Sequence, residues 1–182
     1  MIKVFIDGGA GTTGLKIVER MQAREDVALI TLDEEHRKDP ASRKEAIHAA
    51  DAVFLCLPDD AAKEAALLAE GAKAVVIDAS TAHRTAEGWA YGFPELSPSH
   101  RKAIQSSKRI ANPGCYASGF ISLVYPLIAH GIAAKDYPFV CHAVSGYTGA
   151  GKKGIAEYEA EERDRALDSP RLYALGLHHK HL

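Results

Sequence analysis

Short apolar runs at residues 2–7, 27–32, 52–57 and 74–78 punctuate the first half of the chain, and each reads as a strand buried on both faces. Between them the apolar residues return at helical spacing. After the first run Leu15, Ile17, Val18 and Met21 mark a helix over 12–21. Pro40 opens a helix to about residue 50, Asp59 caps one to residue 70, and Gly71 stops it. Strands alternating with helices predict an α/β fold, a doubly wound, mostly parallel sheet. Residues 79–98, rich in Gly, Pro and Thr, read as a long loop beyond a strand's carboxyl end, where such sheets bind ligands. A short helix over 98–105 then leads to a strand at 109–111, and 119–129 is apolar enough for a buried helix. Beyond it the pattern changes. Residues 139–144 alternate like a strand, 150–167 form a charged helix, and 172–177 suggest another strand. The division predicted is a dinucleotide-binding domain over 1–117 and the start of an α+β substrate and dimerisation domain over 118–182.

Composition narrows the class. Hydrophobic residues make up 47% and charged residues 25% of the 182, as in an ordinary globular protein. The formal charge of −2 argues against a nucleic-acid surface, and no apolar run is long enough to span a membrane. The chain enters directly into a strand with no basic leader, so no signal peptide is expected. Three cysteines, Cys56, Cys115 and Cys141, are an odd number without metal-ligand spacing, which predicts no metal site and fits a reducing cytoplasm. Cys56 and Cys141 lie inside apolar runs and read as core.

Two turns carry candidate chemistry. Gly8-Gly9-Ala10-Gly11-Thr12-Thr13-Gly14 lies between strand and helix. It satisfies G-x-G-x-x-G through Gly9, Gly11 and Gly14, and G-x-x-G-x-x-G through Gly8, Gly11 and Gly14. Small residues there let the backbone approach a pyrophosphate that the helix N-terminus holds. Asn112-Pro113-Gly114-Cys115 places a cysteine at the mouth of a helix, whose N–H groups favour a thiolate nucleophile. Ser80, Thr81 and Arg84 offer donors to a phosphoryl group, and Lys152 and Lys153 can hold an anion. Glu95 reads as a substrate-site residue or a structural partner; His83 and His142 read as structural. Asp33, 19 residues after Gly14, suits the ribose of NAD, while His36, Arg37 and Lys38 suit the 2′-phosphate of NADP.

Further segments complete a pattern: Leu55-Cys56-Leu57-Pro58-Asp59-Asp60, Asp78-Ala79-Ser80-Thr81-Ala82-His83-Arg84, Tyr91-Gly92-Phe93-Pro94-Glu95, Ser145-Gly146-Tyr147-Thr148-Gly149-Ala150-Gly151-Lys152-Lys153 and His178-His179-Lys180-His181. With the two turns, in this order, they closely resemble the shorter-chain N-acetyl-gamma-glutamyl-phosphate reductases of arginine biosynthesis. Aspartate-semialdehyde dehydrogenase is similar more distantly. The resemblance implies a cytoplasmic, NADPH-dependent homo-oligomer that reduces an acyl phosphate to an aldehyde through a cysteine thioester, with neither nucleic acid nor membrane as partner. It implies Cys115 as nucleophile and His179, ahead of His181, as acid and base. Gly8, Gly11, Thr12, Thr13, Gly14, Arg37, Lys38, Leu57 and Pro58 would bind the cofactor, which the resemblance makes NADP rather than NAD. Ser80, Arg84, Glu95, Ser145 and Lys152 would bind substrate. Family chains continue past the His-Lys-His segment, so the chain is expected to be C-terminally incomplete, an NADP-binding piece with weak or no turnover.

Overall fold

The computed structural model describes residues 1–172 and 175–176. The chain divides into two compact units, Met1–Ser118 and Gly119–Leu182. The first holds six strands, β1 (Ile2–Asp7), β2 (Val27–Ile30), β3 (Ala52–Leu55), β4 (Val75–Asp78), β5 (Ala90–Tyr91) and β6 (Arg109–Ala111). They pair in the order β2-β1-β3-β4-β6-β5, every pair parallel. All six carboxyl ends therefore lie along one edge. The chain leaves β1 toward β2 on one side and returns to β3 on the other, so the crevice of the doubly wound sheet opens between β1 and β3.

Four helices connect these strands: α1 (Thr12–Gln22), α2 (Pro40–Ala49), α3 (Asp59–Leu68) and α4 (Pro98–Ser106). Asp39 and Ser97 cap α2 and α4, accepting from the N–H groups of Ser42 and His100, and a proline follows each cap. The core joins Phe5, Val53, Leu55 and Val76 of the sheet to Ala46 and Ile47 of α2 and Ala65 of α3. Asp59 does not cap α3, which starts after Pro58; its carboxylate instead accepts from the N–H and hydroxyl of Thr81. The two-residue β5 inside the 79–98 loop has no periodicity of its own and exists through its pairing with β6.

Helix α5 (Cys115–Ala129) begins at the cysteine rather than at residue 119, and none of its residues is buried, with Leu123 74% exposed. Its apolarity predicts a buried helix, but burial depends on what packs against it. In the second unit residues 139–144 form no strand, because no partner among the described residues pairs their backbone. Cys141, expected in the core, is consequently exposed. The helix expected over 150–167 is interrupted. A 3₁₀ turn at Tyr147–Ala150 leads into α6 (Gly151–Glu159), Ala160 is extended, and Asp164 accepts from Ala166 N–H to start a second 3₁₀ turn, Arg165–Asp168. Such local side-chain bonds compete with helix continuation. Of the strand expected at 172–177, residues 173, 174 and 177 lie outside the described residues, and 175–176 form a turn.

Candidate active site

The glycine turn lies directly after β1, and its shape explains which glycines matter. Gly8 has φ +81°, and a Cβ there would stand 2.3 Å from the Cys56 carbonyl oxygen. A Cβ on Gly14, inside α1, would stand 2.3 Å from Gly8 O and 2.7 Å from Gly9 Cα. Gly11 N–H closes the turn on Gly8 O at 2.9 Å, whereas a Cβ on Gly9 would find nothing nearer than 3.4 Å. The operative pattern is therefore Gly8, Gly11 and Gly14. Thr12 opens α1, Thr13 is exposed, Leu57 borders the turn at Gly8, and Pro58 precedes α3. A bare backbone at the start of α1, at the switch point of the sheet, fits a dinucleotide pyrophosphate.

After β2, Asp33 is committed to its own turn: its carboxylate accepts from His36 N–H at 2.9 Å and pairs with His36 Nδ1 at 2.6 Å. These bonds hold its pKa below the usual carboxylate range, the backbone N–H having the larger effect. Arg37 pairs with Glu34 at 2.7 Å, and Lys38 is exposed.

Toward the other end of the same edge, the loop after β4 is tied to the cysteine turn. Asp78, fully buried, accepts from Ser80 N–H at 2.9 Å and Ser80 Oγ at 2.7 Å, and pairs with His83 Nδ1 at 2.6 Å. His83 stacks on Trp89 with ring centroids 4.0 Å apart, so it is structural, as expected. Ser80 differs from expectation. Its hydroxyl donates to Asp78 and accepts from Ala82 N–H, so it braces the loop instead of facing a phosphoryl group. Asn112 N–H donates to Asp78 O at 2.7 Å, and Arg84 Nε donates to Asn112 O at 3.0 Å. Gly114 O accepts from Ser118 N–H and Oγ, both at 2.8 Å, which leaves Cys115 exposed as the first residue of α5. Glu95 is exposed, 3.9 Å from Arg101.

In the second unit Ser145 and Lys152 are both exposed, with Lys152 in the first turn of α6. His142 is exposed as well. His179 and His181 lie outside the described residues.

Cys56, at the end of β3, is a poor nucleophile. Burial, then the charges of Asp7 and Asp78, push its thiol up to about 11. At pH 8 only about one part in a thousand is thiolate. Timed alkylation read by peptide mass is expected to label the exposed Cys115 at least ~100-fold faster than Cys56; equal rates would refute that.

Sequence reasoning missed two polar clusters at this edge, buried Asp78 and His83 stacked on Trp89, and buried Asp7 and Arg43 joined to the half-exposed Glu64. The signal was present: Asp7 and Asp78 end apolar strands, and Arg43 precedes Ala46, Ile47 and Ala50 on the core-facing side of α2.

Comparison with known proteins bears on this geometry. Residues 33–104 match the NAD-binding domain of semialdehyde dehydrogenases, and residues 115–182 match their dimerisation domain. In these two regions the chain is similar to semialdehyde dehydrogenases. Among curated relatives, N-acetyl-gamma-glutamyl-phosphate reductase of Chelativorans sp. is 49% identical over 99% of this chain, and a second such reductase of Pseudomonas putida is 50% identical over 98%. That of Trichormus variabilis is 45% identical over 99%. The chain spans 57% of the length of each of these relatives. Solved aspartate semialdehyde dehydrogenases share the fold. The enzyme II of Vibrio cholerae is 19% identical with a TM-score of 0.58, covering 86% of this chain and 50% of that one. The enzyme of Francisella tularensis is 17% identical with a TM-score of 0.62, covering 86% and 48%. Among the described residues, no helix is long and apolar enough to cross a membrane.

Proposed function

We propose that this chain belongs to a cytoplasmic, NADPH-dependent enzyme of arginine biosynthesis that reduces N-acetyl-gamma-glutamyl phosphate to N-acetylglutamate semialdehyde. The observation that carries the reading is 45–50% identity, over nearly the whole chain, to relatives named for that substrate. The cysteine turn and the glycine turn on one sheet edge support it.

Cys115 Sγ, as thiolate, attacks the carbonyl carbon of the acyl phosphate; the carbon–oxygen bond to phosphate breaks, phosphate leaves, and a thioester remains on Cys115. The reduced nicotinamide, when bound, supplies the hydride. Collapse of the resulting hemithioacetal breaks the carbon–sulfur bond, releases the aldehyde and returns the thiolate. His179, or His181, takes the thiol proton and returns one to the oxyanion, the role the family resemblance implies. Arg84, bonded to the carbonyl of Asn112 beside the cysteine turn, is the proposed contact to the phosphoryl group, and Glu95, Ser145 and Lys152 complete the proposed substrate contacts. For the whole enzyme to which this chain belongs, incubation with NADPH and the acyl phosphate should yield phosphate and aldehyde in equal amounts, with aspartyl phosphate a poor competitor. Preferred turnover of aspartyl phosphate would overturn the substrate assignment.

Gly8, Gly11, Gly14 and the start of α1 at Thr12 and Thr13 would seat the pyrophosphate, with Leu57 and Pro58 beside it. NADP is favoured over NAD because Asp33 is occupied by His36 while Arg37 and Lys38 stay on the surface. The Arg37–Glu34 pair is exposed and worth at most about 1 kcal/mol, so Arg37 can exchange it for a 2′-phosphate. Replacing both Arg37 and Lys38 by Ala is expected to weaken NADP about 100-fold and NAD less than about threefold by titration; equal loss would return the site to NAD. Self-association through residues 115–182 is part of the proposal, supported by the exposed Leu123, Ile132, Val140 and Val144.

A further inference from the structure

Directly beneath the glycine turn lies a buried ion cluster that the reaction does not use. Asp7 ends β1, 4% exposed, immediately before Gly8, the first residue of the turn. Arg43 of α2, 6% exposed, donates from Nε to Asp7 Oδ2 at 3.0 Å. Its Nη2 lies 2.9 Å from the same oxygen but off line for a hydrogen bond. Nη1 reaches the half-exposed Glu64 of α3 at 3.3 Å. Cys56, whose thiol is uncharged at neutral pH, follows β3, and its backbone N–H donates to Asp7 O at 2.8 Å. With all three members ionised the cluster sums to −1, directly behind a turn whose N–H groups receive an anion.

A buried ion pair seldom stabilises a fold more than apolar residues of similar volume would. A negative charge behind an anion site also costs binding unless it is offset, since buried charges are weakly screened. We propose that Arg43 is a positioning residue for the cofactor: its buried cation offsets the Asp7 carboxylate, so that the glycine turn meets the pyrophosphate with only the half-exposed Glu64 charge left over behind it. The inference rests on the reading of that turn as the dinucleotide site. Burial raises the Asp7 pKa against the opposing pull of Arg43, as expected for a carboxylate whose charge is costly here.

The test is NADPH titration by fluorescence, with adenosine as a phosphate-free probe, at one pH and ionic strength. Glu64→Gln and Asp7→Asn each remove a negative charge and should tighten NADPH about threefold; Arg43→Met should weaken it about tenfold, and Asp7→Asn combined with Arg43→Met should return it close to wild type. Adenosine binding should stay unchanged throughout. A merely structural pair would make Glu64→Gln and Asp7→Asn neutral or weakening, or would shift adenosine in parallel, and either result overturns the proposal. Glu64 is half-exposed, so Glu64→Gln decides the matter even if a buried variant fails to fold. Absence of NADPH binding by the unmodified chain would remove the dinucleotide reading itself, and this inference with it.

Discussion

Replacing Cys115 by serine is expected to lower acyl transfer from the acyl phosphate by at least ~10³-fold while NADPH affinity stays within about twofold. The sulfur attacks as an anion, and a serine hydroxyl at the same position holds its proton far more tightly, so the first bond does not form. Cys115 is exposed at the first residue of α5, and the turn before it is held by Asp78 O, Arg84 and Ser118 through backbone carbonyls and N–H groups. Exchange of sulfur for oxygen therefore leaves the scaffold intact. Two readouts check this: release of phosphate, and the gain of one acyl group in the intact mass of the chain. Retention of more than a tenth of the phosphate release, or acylation on Cys56 or Cys141, would remove Cys115 from the mechanism.

Gly14→Ala is the second large effect. In the interior of an ordinary helix this change stabilises by about 1 kcal/mol. Here the new carbon would sit 2.3 Å from Gly8 O and 2.7 Å from Gly9 Cα, backbone against backbone, where no side-chain rotation relieves it. Either α1 moves off β1 or the turn opens, and both dismantle the cradle. Expected outcomes are NADPH affinity reduced at least ~100-fold and a loss of about 3 kcal/mol in unfolding free energy. Gly9→Ala is the control, since its nearest contacts lie at 3.4–3.8 Å, and it should bind within about threefold of wild type. If Gly14→Ala binds NADPH as Gly9→Ala does, the close approach is not what makes the site.

The alternation of apolar runs with helical spacing was enough to predict the parallel sheet, because a strand covered on both faces and a helix covered on one leave different periods in the chain. The glycine turn and the cysteine turn were legible for a related reason. Each depends on neighbours a few residues away, and Gly, Pro and Cys have few substitutes in those roles. Where the outcome depended on partners distant in sequence, the pattern along the chain was insufficient. Strand β5 exists through β6, and residues 139–144 alternate like a strand yet pair with nothing among the described residues, which puts Cys141 on the surface. Ser80 looks like a phosphate donor until Asp78 and Ala82 are seen to occupy its hydroxyl. Arg43 looks like one more charge on a helix until the fold carries it 36 residues back to Asp7. A charged or polar side chain declares its chemistry in the sequence, but its partner is chosen by topology, and here parallel strands with every carboxyl end on one edge brought these partners together.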